Sequence, residues 1–246
     1  MTLLDQFWYA WPWMGLGGAA VLLILLFGTD LLRSGEGPRW RDPVWLAWAA
    51  VEMYLLHQFE EYGLHVTDGQ YDIVTQVTTM GLFDLSDLPM AHFPAGNIVL
   101  VWVGMALAAW LCRRNPVIGL APYGFIMVNG LMHVVQTVAL GIAPADNPGF
   151  FTGAFLFLPV TALVIYACVK GDFMDGRGLA VALGAGVLSH LLLGAAYALC
   201  AALGGAAVLA FDVAVSFGFV VFGWLGCKAF RPKVRALGPR RPAAGE

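Results

Sequence analysis

The chain reads as an all-α, polytopic transmembrane helical bundle of about seven spans, with the N-terminus out and the C-terminus in. Three observations predict it. Of its 246 residues, 60% are hydrophobic and 12% charged, and the mean hydropathy is +0.76, a balance foreign to soluble globular domains. The apolar residues fall into seven runs of about 20 residues or more, each able to cross roughly 30 Å of hydrocarbon at 1.5 Å per residue. Lysine and arginine avoid every second connection.

The runs lie at about 11–33, 43–63, 93–112, 117–142, 149–170, 178–203 and 205–229. The first follows Trp8, Tyr9, Trp11 and Trp13, an interfacial aromatic belt. It has no basic n-region, is too long for a signal h-region and lacks a small-residue cleavage pattern, so an uncleaved first span is expected. Asp30 precedes Arg33 by three residues at its inner end and predicts a local ion pair. Pro12, Pro43, Pro94 and Pro116 stand near span starts, where a missing N–H is harmless. Pro159 lies inside the fifth span and predicts a kink. In the sixth, Gly186, His190 and Gly194 are four apart, a small-residue groove with a histidine in its floor.

Arg33, Arg39 and Arg41 lie between spans one and two, Arg113 and Arg114 between three and four, and Lys170 and Arg177 beside the link between five and six. Lys228, Arg231, Lys233, Arg235, Arg240 and Arg241 follow the last span. The alternate connections, 64–92, 143–148 and 204–205, hold neither Lys nor Arg. The positive-inside rule then fixes the orientation, and a plasma (inner) membrane location is expected. Residues 1–230 read as one membrane domain, and 231–246 as a basic, mobile cytoplasmic tail that can touch anionic lipid. Six basic residues after a last span serve as a topology anchor, and nothing marks a nucleic-acid partner or a nucleotide cofactor. Cys112, Cys168, Cys200 and Cys227 have neither disulfide nor CxxC spacing and read as packing residues.

The connection 64–92 is the only long loop. It carries His65, a loop residue, and Asp68, Asp72, Asp84 and Asp87; Ile73, Val77 and Met80 recur at helical spacing. A short amphipathic helix is expected there, either a lid over a pocket or a surface helix. Asn147-Pro148-Gly149 and Gly204-Gly205 predict tight outer turns.

The chemistry is concentrated in His57-Gln58-Phe59-Glu60-Glu61. Each ionised side chain at the centre of a membrane helix costs roughly 2.5–3.5 kcal/mol on the low estimate, so such a cluster is expected to be used. At about 100° per residue, His57, Glu60 and Glu61 share one helix face. Span four offers Asn129, His133 and Gln136 as a stripe at i, i+4 and i+7. His92 stands at the entrance to span three, Thr152 at the start of span five, His190 in span six and Asp212 in span seven. All fall at a similar depth, so an outward-opening polar cavity is expected. Glu52 lies deep in span two, off the His57 face, with no partner visible in the sequence.

Three readings follow. The first is a metal-dependent enzyme, a hydrolase or an oxidoreductase. His57, Glu61 and His133 are its ligands, Glu60 a base or bridging ligand, His92 a further ligand and Asn129 an orienting donor. Imidazole plus carboxylate suits a divalent Zn, Fe or Mn. The second is a metal-free isomerase or cyclase, in which a buried Glu61 that keeps its proton, aided by Asp212, protonates an alkene within an apolar aromatic wall. The third is a non-enzymatic ligand-binding or transport protein. A membrane lipid or an isoprenoid-like apolar small molecule is the expected partner, because a pocket at that depth is reached from the bilayer.

HisxxGluGlu at 57–61, Asn129-Gly-Leu-Met-His133, and Pro148-Gly149-Phe-Phe-Thr152 running to Pro159 together resemble the HXXEE-domain family of integral membrane proteins over about residues 50–170. The resemblance implies an enzymatic role at His57, Glu60, Glu61, Asn129 and His133, with His92 a candidate for the family's further histidine. More locally, His57-x-x-x-Glu61-Tyr62-Gly63 is similar to the His/Glu helix of emopamil-binding-protein type sterol isomerases. The seven spans, with acidic residues in spans two and seven, resemble integral membrane terpene cyclases.

Overall fold

The computed structural model describes residues 3–235 and 237, apart from 36, 65, 68, 69, 80, 82, 86, 87, 90 and 172. His65, Asp68, Met80, Asp87, Arg240 and Arg241 therefore lie outside the described residues. Helix α1 is Leu3–Gly28, and α2 is Pro43–Gln58, continued by a π-helical turn Phe59–Gly63. A two-residue hairpin pairs β1 (Val66–Thr67) with β2 (Gln70–Tyr71) and leads into α3 (Asp72–Thr79). Then come α4 (His92–Leu111), α5 (Pro116–Leu140), α6 (Phe150–Lys170) and α7 (Gly176–Ala198). After a short turn of helix at Cys200–Leu203, α8 (Gly205–Ser216) and α9 (Gly218–Phe230) complete the chain.

Among the described residues, five helices are long and apolar enough to cross a membrane: Gln6–Gly28 of α1, then α4, α5, α6 and α7. There are six if α8 and α9, bent by 51° at their junction, count as one span. The chain is thus a multi-pass membrane protein. The other expected span, 43–63, does form a helix, but Glu52, His57, Gln58, Glu60 and Glu61 dilute its apolarity. Its position explains why that is tolerated: α2 is buried on all sides, so its polar groups face other helices and not lipid.

Helix α2 starts where the sequence directs. Asp42 accepts from the N–H groups of Val44 (2.9 Å) and Trp45 (3.2 Å), and Pro43 occupies the first position, where no N–H is needed. Helices α5 and α7 approach at backbone distance. A Cβ on Gly124 would lie 1.9 Å from Leu183 O, and one on Gly186 would lie 2.2 Å from Ala121 O. Of the predicted small-residue groove, Gly186 makes this helix crossing, whereas a Cβ on Gly194 would meet only Phe83, at 3.9 Å. In α6 the turn Gly153–Phe157 is π-helical, next to Pro159, whose missing N–H removes a rung of the helical ladder.

The basic connections gather at one end of the bundle. Arg33 pairs with Asp30 (2.8 Å) as expected, Arg39 joins it (3.2 Å), and Arg113 donates to Arg33 O. The tail, expected to be mobile from residue 231, is pinned at its start: Asp175 N–H donates to Lys233 O (3.0 Å) and Arg235 N–H to Phe173 O (3.0 Å). Trp11 also departs from its expected place in an exposed belt. It is fully buried and donates through Nε1 to Tyr71 OH (3.0 Å), while Trp13 stays exposed. Cys112, Cys168 and Cys200 are packed inside, and Cys227 is half-buried.

Candidate metal centre

Three helices and one turn build the site. One helical turn separates His57 from Glu61, which places both side chains on one side of α2. The helix widens to π geometry from Phe59, a departure common at functional sites. Helix α5 presents His133 to that face. His57 Nε2 lies 3.2 Å, and His133 Nε2 3.3 Å, from the same atom, Glu61 Oε1. The two rings stand at 74° with centroids 5.1 Å apart. All three side chains are buried. The predicted meeting of the second and fourth segments through their imidazoles is present.

The turn at Asn147-Pro148-Gly149 closes over the rings. Gly149 has φ +91°, and a Cβ there would lie 2.6 Å from Cε1 of both His57 and His133. Only glycine meets both conditions. Helix α6 then starts against Glu60, whose carboxylate accepts Phe151 N–H (2.9 Å), Thr152 N–H (2.8 Å) and the Thr152 hydroxyl (2.5 Å). A carboxylate is well placed at that helix N-terminus, and its oxygens are taken up there.

These outer contacts assign the protons on the rings. The Thr152 hydroxyl has one proton, which goes to Glu60, so its lone pair accepts Nδ1–H of His57 at 2.7 Å. The Asn147 amide is oriented by donating to His133 O (2.9 Å) and Thr137 Oγ (2.9 Å). Its Oδ1 therefore accepts Nδ1–H of His133 at 3.1 Å. In its neutral form each ring is left with a lone pair on Nε2, and both Nε2 atoms face the same carboxylate oxygen. Among the described residues His57 Nε2 makes no hydrogen bond of acceptable geometry. With both rings neutral, three electron-pair donors face one another, an arrangement that a metal ion, or a proton on one ring, relieves.

The donor set fits a metal ion. His57, Glu61 and His133 each offer one ligand atom within 4.8 Å of the others. Ligand bonds of about 2.0–2.1 Å in tetrahedral geometry give donor–donor edges of about 3.3 Å, close to the 3.2 and 3.3 Å seen. Each imidazole also donates its other N–H to a fixed oxygen, as metal-bound histidines do.

The remaining sequence-selected residues are spread around an adjoining cavity of about 510 Å³. Its polar lining includes Glu61, Asn129, His133, Gln136, His190 and Asp212; Ile73, Val74, Val77 and Phe83 from the 64–92 connection close one side. Asn129 donates to Tyr54 OH (3.1 Å). His190 packs against Phe125, with centroids 4.6 Å apart. His92 is not part of the three-residue group. Its Nε2 lies 2.9 Å from Asp212 Oδ2, and Asp212 is on the cavity wall. Glu52 is buried with Oε1 unpartnered among the described residues, away from the cavity. The sequence reading missed the part played by Asn147, seen there only as a turn residue, and the role of Thr152. The shared signal was the Asn-Pro-Gly-x-x-Thr spacing, which puts both side chains at one helix start.

Residues 48–164 match the family described as a protein of unknown function with HXXEE motif, and over that segment the chain carries an HXXEE domain. No curated protein and no solved structure matches the chain, so the sterol isomerase and terpene cyclase resemblances find no support there. The chain is thus a multi-pass membrane protein with an HXXEE domain, and its buried His57, Glu61 and His133 can hold a metal ion.

Proposed function

We propose that this is a membrane-embedded, metal-dependent enzyme acting on a lipid-like substrate held in the cavity beside His57, Glu61 and His133. The observation that carries the reading is the convergence of two Nε2 atoms on one carboxylate oxygen in a site where each Nδ1 already has an oxygen partner. His57, Glu61 and His133 hold the ion. Two imidazoles and one carboxylate with further positions open serve hydrolytic zinc and oxygen-activating iron alike, and a bound ion supplies Lewis acidity and an activated water. Glu60 acts through Thr152 as a positioning residue, in place of the expected base. Asn129 and Gln136 orient the substrate from the cavity wall.

The substrate class follows from the surroundings. Apolar and aromatic side chains make most of the cavity, and Leu191, which lines it, is 60% exposed on the bundle surface, so the cavity wall there faces lipid. The seven-span topology, N-terminus out, is supported by the basic connections meeting at one end. The metal centre then lies in the outer half of the plasma membrane.

The test is metal analysis of purified protein after reconstitution with Zn, Fe or Mn. About one ion per chain in wild type, lost in His57→Ala, Glu61→Gln and His133→Ala, is the expected result. A folded wild type that retains none of the three ions removes this reading. The metal-free acid–base reading would then gain, because Glu61 and Asp212 line the same cavity.

A further inference from the structure

The cavity has a second polar end. Asp212 is 3% exposed; its Oδ2 is held by His92 Nε2 at 2.9 Å, its Oδ1 makes no hydrogen bond of acceptable geometry among the described residues, and the Tyr197 hydroxyl interacts with the carboxylate from beside it. A carboxylate oxygen on the wall of an apolar cavity is costly unless something donates to it. Two more buried acceptors in the cavity lining, Asn129 Oδ1 and Gln136 Oε1 on the helix that carries His133, are also unpartnered among the described residues. Amides can turn to present N–H instead, but an ionised carboxylate cannot. Tyr62, Phe93 and Tyr197 line the cavity near this end, so its surroundings are aromatic.

Charge narrows the ligand further. Among the described lining residues there is no Lys or Arg. The connection 64–92, whose Ile73, Val74, Val77 and Phe83 close one side, contains neither residue anywhere in its sequence. Among the described residues no guanidinium or ammonium is therefore available to a phosphate or carboxylate head group in this cavity. An anion beside Asp212 would meet like charge in a low-dielectric site.

We infer that Asp212, held by His92, is a binding subsite for the O–H or N–H donor of a membrane-soluble alcohol or amine, whose apolar body fills the cavity between Asp212 and the metal centre. The inference deepens the enzymatic reading and takes from it only that this cavity is the substrate site.

The experiment uses the full chain, stripped of metal by chelation, in phosphatidylcholine nanodiscs. Equilibrium binding of dodecanol, dodecylamine and dodecanoate is compared for wild type, Asp212→Leu and Asp212→Asn. Dodecanol or dodecylamine is expected to saturate a site and to bind about tenfold to a hundredfold more tightly than dodecanoate, a preference lost in Asp212→Leu. Asp212→Asn tells the two donors apart: an ammonium loses its counter-charge, whereas a hydroxyl keeps a carbonyl acceptor. A size-exclusion profile and unfolding temperature matching wild type show that each variant is folded. Equal or tighter binding of dodecanoate, unchanged binding in Asp212→Leu, or no saturable binding of either donor-headed probe overturns the subsite. Because binding is read without metal, that failure is distinct from a failure of the metal centre itself.

Discussion

The hydroxyl of Thr152 stands 2.7 Å from Nδ1 of His57, and this contact decides which nitrogen of the ring faces Glu61. The same hydroxyl lies 2.5 Å from Glu60 Oε2, so the two consecutive glutamates have different tasks: Glu61 faces the histidines, and Glu60 fixes the group that fixes one of them. Thr152→Val keeps the shape and removes the hydroxyl. It is expected to weaken metal binding by about 10–100-fold, with Thr152→Ser close to wild type. Chelator competition measures this, and a Val variant as tight as wild type would show that Thr152 does not set the ring.

Gly149→Ala tests the closure over the site. The new Cβ would lie 2.6 Å from Cε1 of both imidazoles, on a backbone at φ +91°. The left-handed conformation alone costs about 1–2 kcal/mol, and the rings must move besides. Loss of stoichiometric metal together with a lower unfolding temperature is expected. Retention of both would mean that the turn does not hold the histidines.

Helix α7 carries its own control. Gly186→Leu places side-chain atoms where a Cβ would already be 2.2 Å from Ala121 O, so α5 and α7 must separate. A cost beyond about 3 kcal/mol, and failure to accumulate folded protein, are expected from overpacking of this kind. Gly184→Ala, with nothing within 4 Å of the new Cβ, should be neutral or slightly stabilising. Fluorescence size-exclusion profiles separate the two, and equal behaviour would refute the close crossing.

Tyr71 anchors the segment that covers the cavity. Its hydroxyl accepts from Trp11 Nε1 (3.0 Å) and donates to Trp8 O (2.5 Å), and burial pushes the phenol up to about 12. A pKa raised by folding means that the contact's stabilisation is complete below the ordinary tyrosine value near 10 and is lost as pH rises through the folded value. Tyr71→Phe should cost about 1 kcal/mol and speed hydrogen exchange in α3 at neutral pH. In the wild type the same loss of protection, taken relative to the intrinsic base-catalysed exchange rate, should begin only above about pH 10 and be complete above the folded value. Identical exchange in the two proteins at neutral pH would deny Tyr71 this role.

Much of the fold and part of the site were legible in the chain. The amphipathic pattern Ile73, Val77 announced α3, and Asp30 with Arg33 announced their ion pair. His57, Glu61 and His133 were legible because imidazole and carboxylate are too costly in a membrane to stand there without a use. The span count was less so. The 43–63 helix is enclosed by its neighbours, and enclosure lets a helix be more polar than a lipid-facing one. His92 shows the limit of arguing from depth: residues at one level of a bundle can still lie on different walls, and its partner is Asp212, not the metal group.

The sequence by itself determined a multi-pass helical membrane protein and the residue types able to hold a metal, because hydrocarbon length and the cost of buried charge act on each segment independently of the others. Only the tertiary structure decided which nitrogen of each imidazole points inward and which glutamate joins them. It alone placed Asp212 across the same cavity with an unpartnered oxygen. Those outcomes depend on Asn147, Gly149 and Thr152 meeting α2 and α5 at hydrogen-bond distance. That meeting is a product of how the helices pack, and no single segment carries it.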